Sequence, residues 1–198
     1  MIRVIDIVTR IRGVACYFVI SMCLSSAAFA EDILRLNING QSSGFIDIAL
    51  NGKDAPEHVK RLKLLTLEKK YDGVVFHRVI AGFMAQTGDV KFGNIENFNS
   101  SLVGMGGSDY PMLREEFSGG TFHRGTVGMA RSKDPNSANS QFFIMFEPAP
   151  HLDGKYTIVG EVISGIDVLL GIKKGSTSNN GAVKSPDYIL TAEIIQKD

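Results

Sequence analysis

Apolar residues alternate with polar or small ones through residues 33–38 and again through 45–50, the period-two pattern of strands with one buried face. Asn39-Gly40 and Ser42-Ser43-Gly44 lie between them and supply the turn chemistry of a hairpin. Asp54 and Glu57 are spaced like a capping box, Pro56 sits in the first turn, and Val59, Leu62 and Leu65 recur at helical spacing. This predicts a first helix that ends before Asp72-Gly73. Strand composition returns at 74–80 and 83–87, with a bend at Gly82. From 90 to 122 the chain is irregular and carries Gly104, Gly106, Gly107, Gly119 and Gly120, which predicts a long ordered loop of the kind usually kept for function. Further strands are expected at 126–130, 141–146 and 156–162, then a second helix from Ser164, with Asp167 three residues on, ending near Gly175, and a closing strand at 188–196. No internal repeat interrupts the pattern. A chain dominated by strands, without a strand-helix-strand rhythm, points to a mainly β, closed antiparallel barrel rather than a parallel sheet.

The first thirty residues have a different character. Arg3, Arg10 and Arg12 form a basic segment, residues 14–24 are apolar, and Ala28-Phe29-Ala30 offers small residues for cleavage. That is the layout of a secretory signal peptide, whose removal would leave Glu31 first. The apolar run is shorter than a bilayer-spanning helix, and Ile20-Ser21-Met22 lacks the small residues that usually precede a lipidated cysteine. Residues 1–30 are therefore expected to be removed and residues 31–198 to form one domain, exported to the periplasm or beyond, without stable membrane insertion. Both cysteines, Cys16 and Cys23, lie in the first segment, so disulfides and thiol chemistry drop out. Three of the 21 basic residues and one of the 21 acidic ones also lie there, which leaves 18 against 20; nucleic acid is not an expected partner.

Standard catalytic patterns are missing. His58, His77, His123 and His151 show no short metal-ligand spacing. Gly104-Met105-Gly106-Gly107 falls short of a dinucleotide fingerprint, and neither a nucleophile elbow nor a phosphate loop is present. Two stretches stand out instead. One runs Phe76-His77-Arg78-Val79-Ile80-Ala81-Gly82-Phe83-Met84-Ala85-Gln86-Thr87-Gly88-Asp89, and the other runs from Gly128-Met129-Ala130-Arg131 to Asn139-Ser140-Gln141-Phe142-Phe143-Ile144. Together with His151-Leu152-Asp153-Gly154-Lys155-Tyr156, they resemble, in order and in one register, the signature segments of the cyclophilin family of peptidyl-prolyl cis/trans isomerases.

The resemblance implies an eight-stranded barrel capped by two helices, and an activity that rotates X-Pro bonds in exported proteins during folding, without a cofactor and as a monomer. It implies that Arg78 is the catalytic residue, that Phe83, Met84, Phe143 and Leu152 receive the proline ring, and that Gln86, Gln141 and the backbone of Ala130 and Arg131 hold the peptide. His77, His151 and Tyr156 match positions at the edge of the site. Strand alternation places Phe142 opposite Phe143, in the core. A proline-binding chaperone without catalysis is the rival reading, and a retained Arg78 argues against it. Ala81 and Thr87 depart from the family's usual proline and glycine. One extra residue lies between Ala130 and Pro135 relative to the best-known eukaryotic members, and His151 stands where members that bind cyclosporin tightly carry tryptophan.

Overall fold

The first hairpin forms as its alternation predicts in the computed structural model, which describes residues 32–196, with Ile33 and Ala49 buried on the second face as well. Strands β1 (Asp32–Asn39) and β2 (Gly44–Leu50) pair antiparallel with Leu34 opposite Ile48 and Leu36 opposite Ile46. Leu34, Leu36, Ile38, Ile46 and Ile48 are all buried. On the other face, Arg35 and Asp47 stand opposite each other and make two hydrogen bonds of 2.8 Å. The expected signal peptide lies outside the described residues.

Six further strands complete one antiparallel sheet: β3 (Arg78–Ile80), β4 (Met84–Thr87), β5 (Thr126–Met129), β6 (Phe142–Met145), β7 (Ile158–Ser164) and β8 (Tyr188–Gln196). Their spatial order is β3-β4-β6-β5-β7-β2-β1-β8. The sheet curls into a half-barrel, and this corrects the expected closed barrel. β3 and β8 share no ladder. Between them, among the described residues, the chain makes only an isolated bridge, Val75 to Tyr188, and a few backbone bonds such as Phe76 N–H to the Asp187 carbonyl at 2.8 Å. The reason is local. Residues 76 and 77, expected as strand, belong to no regular element, so β3 has only three residues to offer. Irregular pairing between β1 and β8, β2 and β7, and β5 and β7 is of the kind that adds the twist a curled sheet needs.

Helix α1 (Pro56–Leu67) packs against β8, and α2 (Ile166–Gly171) packs against β2. Val59, Leu62 and Leu65 point inward as their spacing predicts. The start of α1 differs from the expected capping box. Ala55 is the N-cap, Asp54 accepts from Asn51, and the free N–H groups of Glu57 and His58 go to the carboxylate of Glu116, each at 3.1 Å. Glu116 also bonds His58 Nδ1 at 2.6 Å. Burial alone would raise the Glu116 pKa, but these bonds hold it below its ordinary value. A residue 59 positions away thus caps the helix, which no local motif could show. Helix α1 stops at Leu67, before Asp72-Gly73 as expected. Ser164 is the last residue of β7 and Gly165, with φ of 84°, turns the chain into α2, which ends at Gly171 rather than near Gly175.

Alternation along β6 divides the interior in two. Phe142 and Ile144 join Leu34, Leu36, Ile46 and Leu62 in the main core. Phe143 and Met145 point the other way and form a second cluster with Met84, Phe122, Ala149 and Leu152. That second cluster is the floor of the site.

Candidate active site

Sheet register lines up the key side chains. Arg78 on β3 faces Gln86 on β4, Gln86 faces Phe143 on β6, and Phe143 faces Gly128 on β5. One row across four strands therefore runs from a cation, through an amide, to an aromatic ring. The glycine at its end is required sterically, because a Cβ there would lie 2.6 Å from the Phe143 ring and 2.8 Å from that of Phe122. Phe122 stacks on Phe143 with centroids 5.7 Å apart, and Tyr156 meets it edge-on at 5.6 Å.

A cavity of about 190 Å³ opens over this floor, lined by Arg78, Phe83, Met84, Gln86, Ala130, Arg131, Phe143, Leu152 and Tyr156. Nine of the twelve residues proposed from the sequence meet there. Gln141 lines an adjoining cavity of about 360 Å³, which shares Gln86, Ala130 and Arg131 with the first. His151 is exposed and stacks on Phe83 at 5.9 Å, beside the cavity. The Arg131 guanidinium lies 4.4 Å from the Tyr156 ring centre and donates to the Lys155 carbonyl at 2.7 Å. Ala130 gives its N–H to the Gln141 carbonyl. The Ala130 carbonyl and the Arg131 N–H make no hydrogen bond among the described residues. Of the two departures from the family pattern, Ala81 is exposed in the β3–β4 turn, and the buried Thr87 hydroxyl donates to the Val75 carbonyl at 2.9 Å.

Arg78 is held by neutral groups throughout. Its Nη1 donates to Gln86 Oε1, its Nε to the Asn180 carbonyl and its Nη2 to Asn180 Oδ1, all at 3.1 Å. Burial lowers its pKa from the ordinary value, with Tyr156 acting against that. A guanidinium stays protonated all the same; of its five N–H groups one on Nη2 is left over, and the second on Nη1 meets only the weakly accepting sulfur of Met84 at 3.9 Å. Asn180, in a left-handed conformation with φ of 48°, is the contact that sequence reasoning missed. Asn179-Asn180-Gly181 is a recognisable turn signal, but nothing in it says that the turn meets β3.

The amide network has only one possible polarity. Gln141 Nε2 donates to the carbonyls of Gly104 (3.0 Å) and Gly106 (2.7 Å). Carbonyls only accept, so Gln141 must turn its oxygen to Gln86 Nε2, at 3.0 Å, and Gln86 must turn its own oxygen to Arg78.

His77 corrects the sequence reading. Expected at the edge of the site, it is only 6% exposed and packs beneath Gly104, with neither ring nitrogen in hydrogen-bonding geometry. Burial pushes its pKa down to about 4, against an opposing pull from Asp89. It is a neutral packing group.

A cavity with an apolar floor and a fixed cation at its wall, on a curled eight-stranded antiparallel sheet with two helices, is the architecture of the cyclophilins. The chain belongs to the family of cyclophilin-type peptidyl-prolyl cis-trans isomerases, and it is an isomerase of that type. Residues 33–194 match the family model described as "Cyclophilin type peptidyl-prolyl cis-trans isomerase/CLD". A probable peptidyl-prolyl cis-trans isomerase of Brucella suis is 56% identical over 171 residues, covering 86% of each chain. A cyclophilin-type isomerase of Cryptosporidium parvum superposes with a TM-score of 0.70 at 26% identity, covering 86% of this chain and all of that one. A second crystal structure of that protein, obtained in the presence of the dipeptide Ala-Pro, gives a TM-score of 0.63 at 26% identity, covering 79% of this chain and 98% of that one.

The buried neutral His77 has a measurable consequence. Its folded pKa of about 4 lies below the unfolded value of about 6.5, so the unfolded chain binds an extra proton between them. Stability should then fall as pH drops through that window. Denaturant titrations of wild type and His77→Leu at pH 7 and pH 4.5 should show a smaller loss in the variant; equal losses would mean that His77 is not held neutral.

Proposed function

We propose that this isomerase acts on X-Pro bonds of exported proteins and assists their folding, with Arg78 as its catalytic residue. The observation that carries the catalytic part is the un-neutralised guanidinium of Arg78, fixed by Gln86 and Asn180 at the wall of an apolar cavity. A prolyl bond resists rotation because resonance gives its C–N bond partial double-bond character, with a barrier of about 18–20 kcal/mol. No bond has to break. Phe83, Met84, Phe143 and Leu152 hold the proline ring, while Gln86, Gln141, the Ala130 carbonyl and the Arg131 N–H hold the flanking peptide. Tyr156 and His151 close the margin.

As the bond twists, the nitrogen lone pair leaves resonance and becomes a hydrogen-bond acceptor. The unengaged N–H on Nη2 and the Nη1 N–H that meets only the Met84 sulfur can then donate to that nitrogen and to a nearby carbonyl. This interaction is absent from the planar ground state, so it lowers the barrier instead of merely tightening binding. The Cryptosporidium protein's structure in the presence of Ala-Pro supports a proline-containing substrate. The protein acts as a monomer on proline-containing peptides and folding chains.

Replacing Arg78 by Ala should cut the isomerisation rate of a short proline peptide by about 10²-fold or more, with a much smaller change in affinity. Between pH 6 and 9 the wild-type rate should stay nearly flat, since neither Arg78 nor the depressed His77 titrates there. A protease-coupled assay reads both. An Arg78→Ala enzyme that keeps most of its rate would remove Arg78 from the mechanism.

Export is supported by Arg3, Arg10 and Arg12, the apolar stretch after them and Ala28-Phe29-Ala30. The protein recovered from outside the cytoplasm should begin at Glu31. Intact-mass analysis decides this, and a retained leader or a lipid on Cys23 contradicts it.

A further inference from the structure

Two residues after β4 stands Asp89, fully buried and outside the linings of both cavities. Its Oδ1 accepts the N–H groups of Lys91 (3.1 Å) and Phe92 (3.0 Å), and its Oδ2 those of Gly104 (2.7 Å) and Gly106 (3.0 Å). Four donors saturate an ionised carboxylate. The two glycines on Oδ2 are the same two whose carbonyls take both N–H groups of Gln141. Each is thus tied to Asp89 through its nitrogen and to Gln141 through its oxygen. From Gln141 the bonds continue to Gln86 and then to Arg78.

We propose that Asp89 is a positioning residue for isomerisation. By fixing Gly104 and Gly106 it aims the two carbonyls that orient Gln141, and through Gln141 and Gln86 it sets the attitude of the Arg78 guanidinium. This rests on the assignment of Arg78 as the catalytic group. The chemistry requires a carboxylate. Asparagine offers one acceptor oxygen, and its NH₂ would face two N–H donors on the other side. Glycine is equally required at 106, because a Cβ there would fall on Asp89 Oδ1 and crowd Lys91 and Phe92. The loop that sequence patterning leaves irregular thereby becomes part of the machinery.

The test uses the full chain and four variants: Asp89→Asn, Gly106→Ala, Gln141→Leu, and Asp89→Asn combined with Gln141→Leu. Asp89→Asn and Gly106→Ala should each lower kcat on a short proline peptide about tenfold, with KM changed less than about threefold, the pattern of a displaced catalytic group. In the Gln141→Leu background the relay is already cut, so adding Asp89→Asn should cost less than about twofold. Melting temperatures are measured in parallel. If Asp89→Asn fails to fold, Gly106→Ala carries the test, because it leaves a carboxylate at position 89 and disturbs the same contact from the loop side. A lowered melting temperature with unchanged kcat, or a tenfold loss that persists without Gln141, overturns the proposal. Either result, beside an inactive Arg78→Ala, leaves the catalytic assignment standing. An active Arg78→Ala fails that assignment instead.

Discussion

A cation placed against an apolar cavity needs something to hold it that does not cancel its charge. A carboxylate partner would fix Arg78 more strongly, but it would also neutralise much of the field that a twisted prolyl bond has to feel. The fold uses amides and peptide carbonyls instead: Gln86 on one side of the guanidinium, Asn180 on the other. Neutral partners carry a different risk, since an amide can flip and reverse its polarity. Gly104 and Gly106 remove that freedom, because their carbonyls dictate which way Gln141 faces and hence which way Gln86 faces. The orientation of one side chain on β3 therefore depends on a loop that begins after β4 and returns across the site.

The apolar half of the site depends on the pleat of β6. Successive side chains of a strand point to opposite faces, so Phe142 completes the main core while Phe143 becomes the cavity floor. The two functions share one backbone and cannot shift independently. A register slip of one residue on β6 would put Phe143 in the core and remove it from its place opposite Gln86. Gly128 adds the clearance for the ring on the next strand. Packing thus fixes the greasy surface as firmly as hydrogen bonds fix the charged one.

Periodicity made the strands legible wherever both faces had distinct environments, as in β1 and β2, and it separated Phe142 from Phe143. It failed at residues 74–77, whose apolar composition reads as strand although they leave the ladder and keep the half-barrel open. Helix capping was misread at both helices for one physical reason. The groups that satisfy or turn the chain ends are Glu116, far along the sequence, and Gly165, with positive φ, whereas a capping box assumes a partner three residues away. Most of the site was legible because the resemblance fixes positions in linear order. Asn180 and the Gly104 and Gly106 carbonyls escaped because their contribution comes from tertiary contact with a turn or from the backbone, neither of which a residue type announces. His77 was placed at the edge by the resemblance, but adjacent residues of an extended segment point to opposite sides, and it is Arg78 that faces the cavity.

The proposed mechanism requires a planar, held guanidinium and not positive charge alone. Arg78→Lys separates the two, because lysine keeps the charge but loses the fork that meets Gln86, Asn180 and the twisted bond at once. Exchange NMR on a saturating proline peptide measures the on-enzyme interconversion rate directly, without any coupled protease. Arg78→Lys should bind the peptide nearly as well as wild type while its on-enzyme rate falls by about 10²-fold. A lysine variant that interconverts the bound peptide at close to the wild-type rate would contradict it.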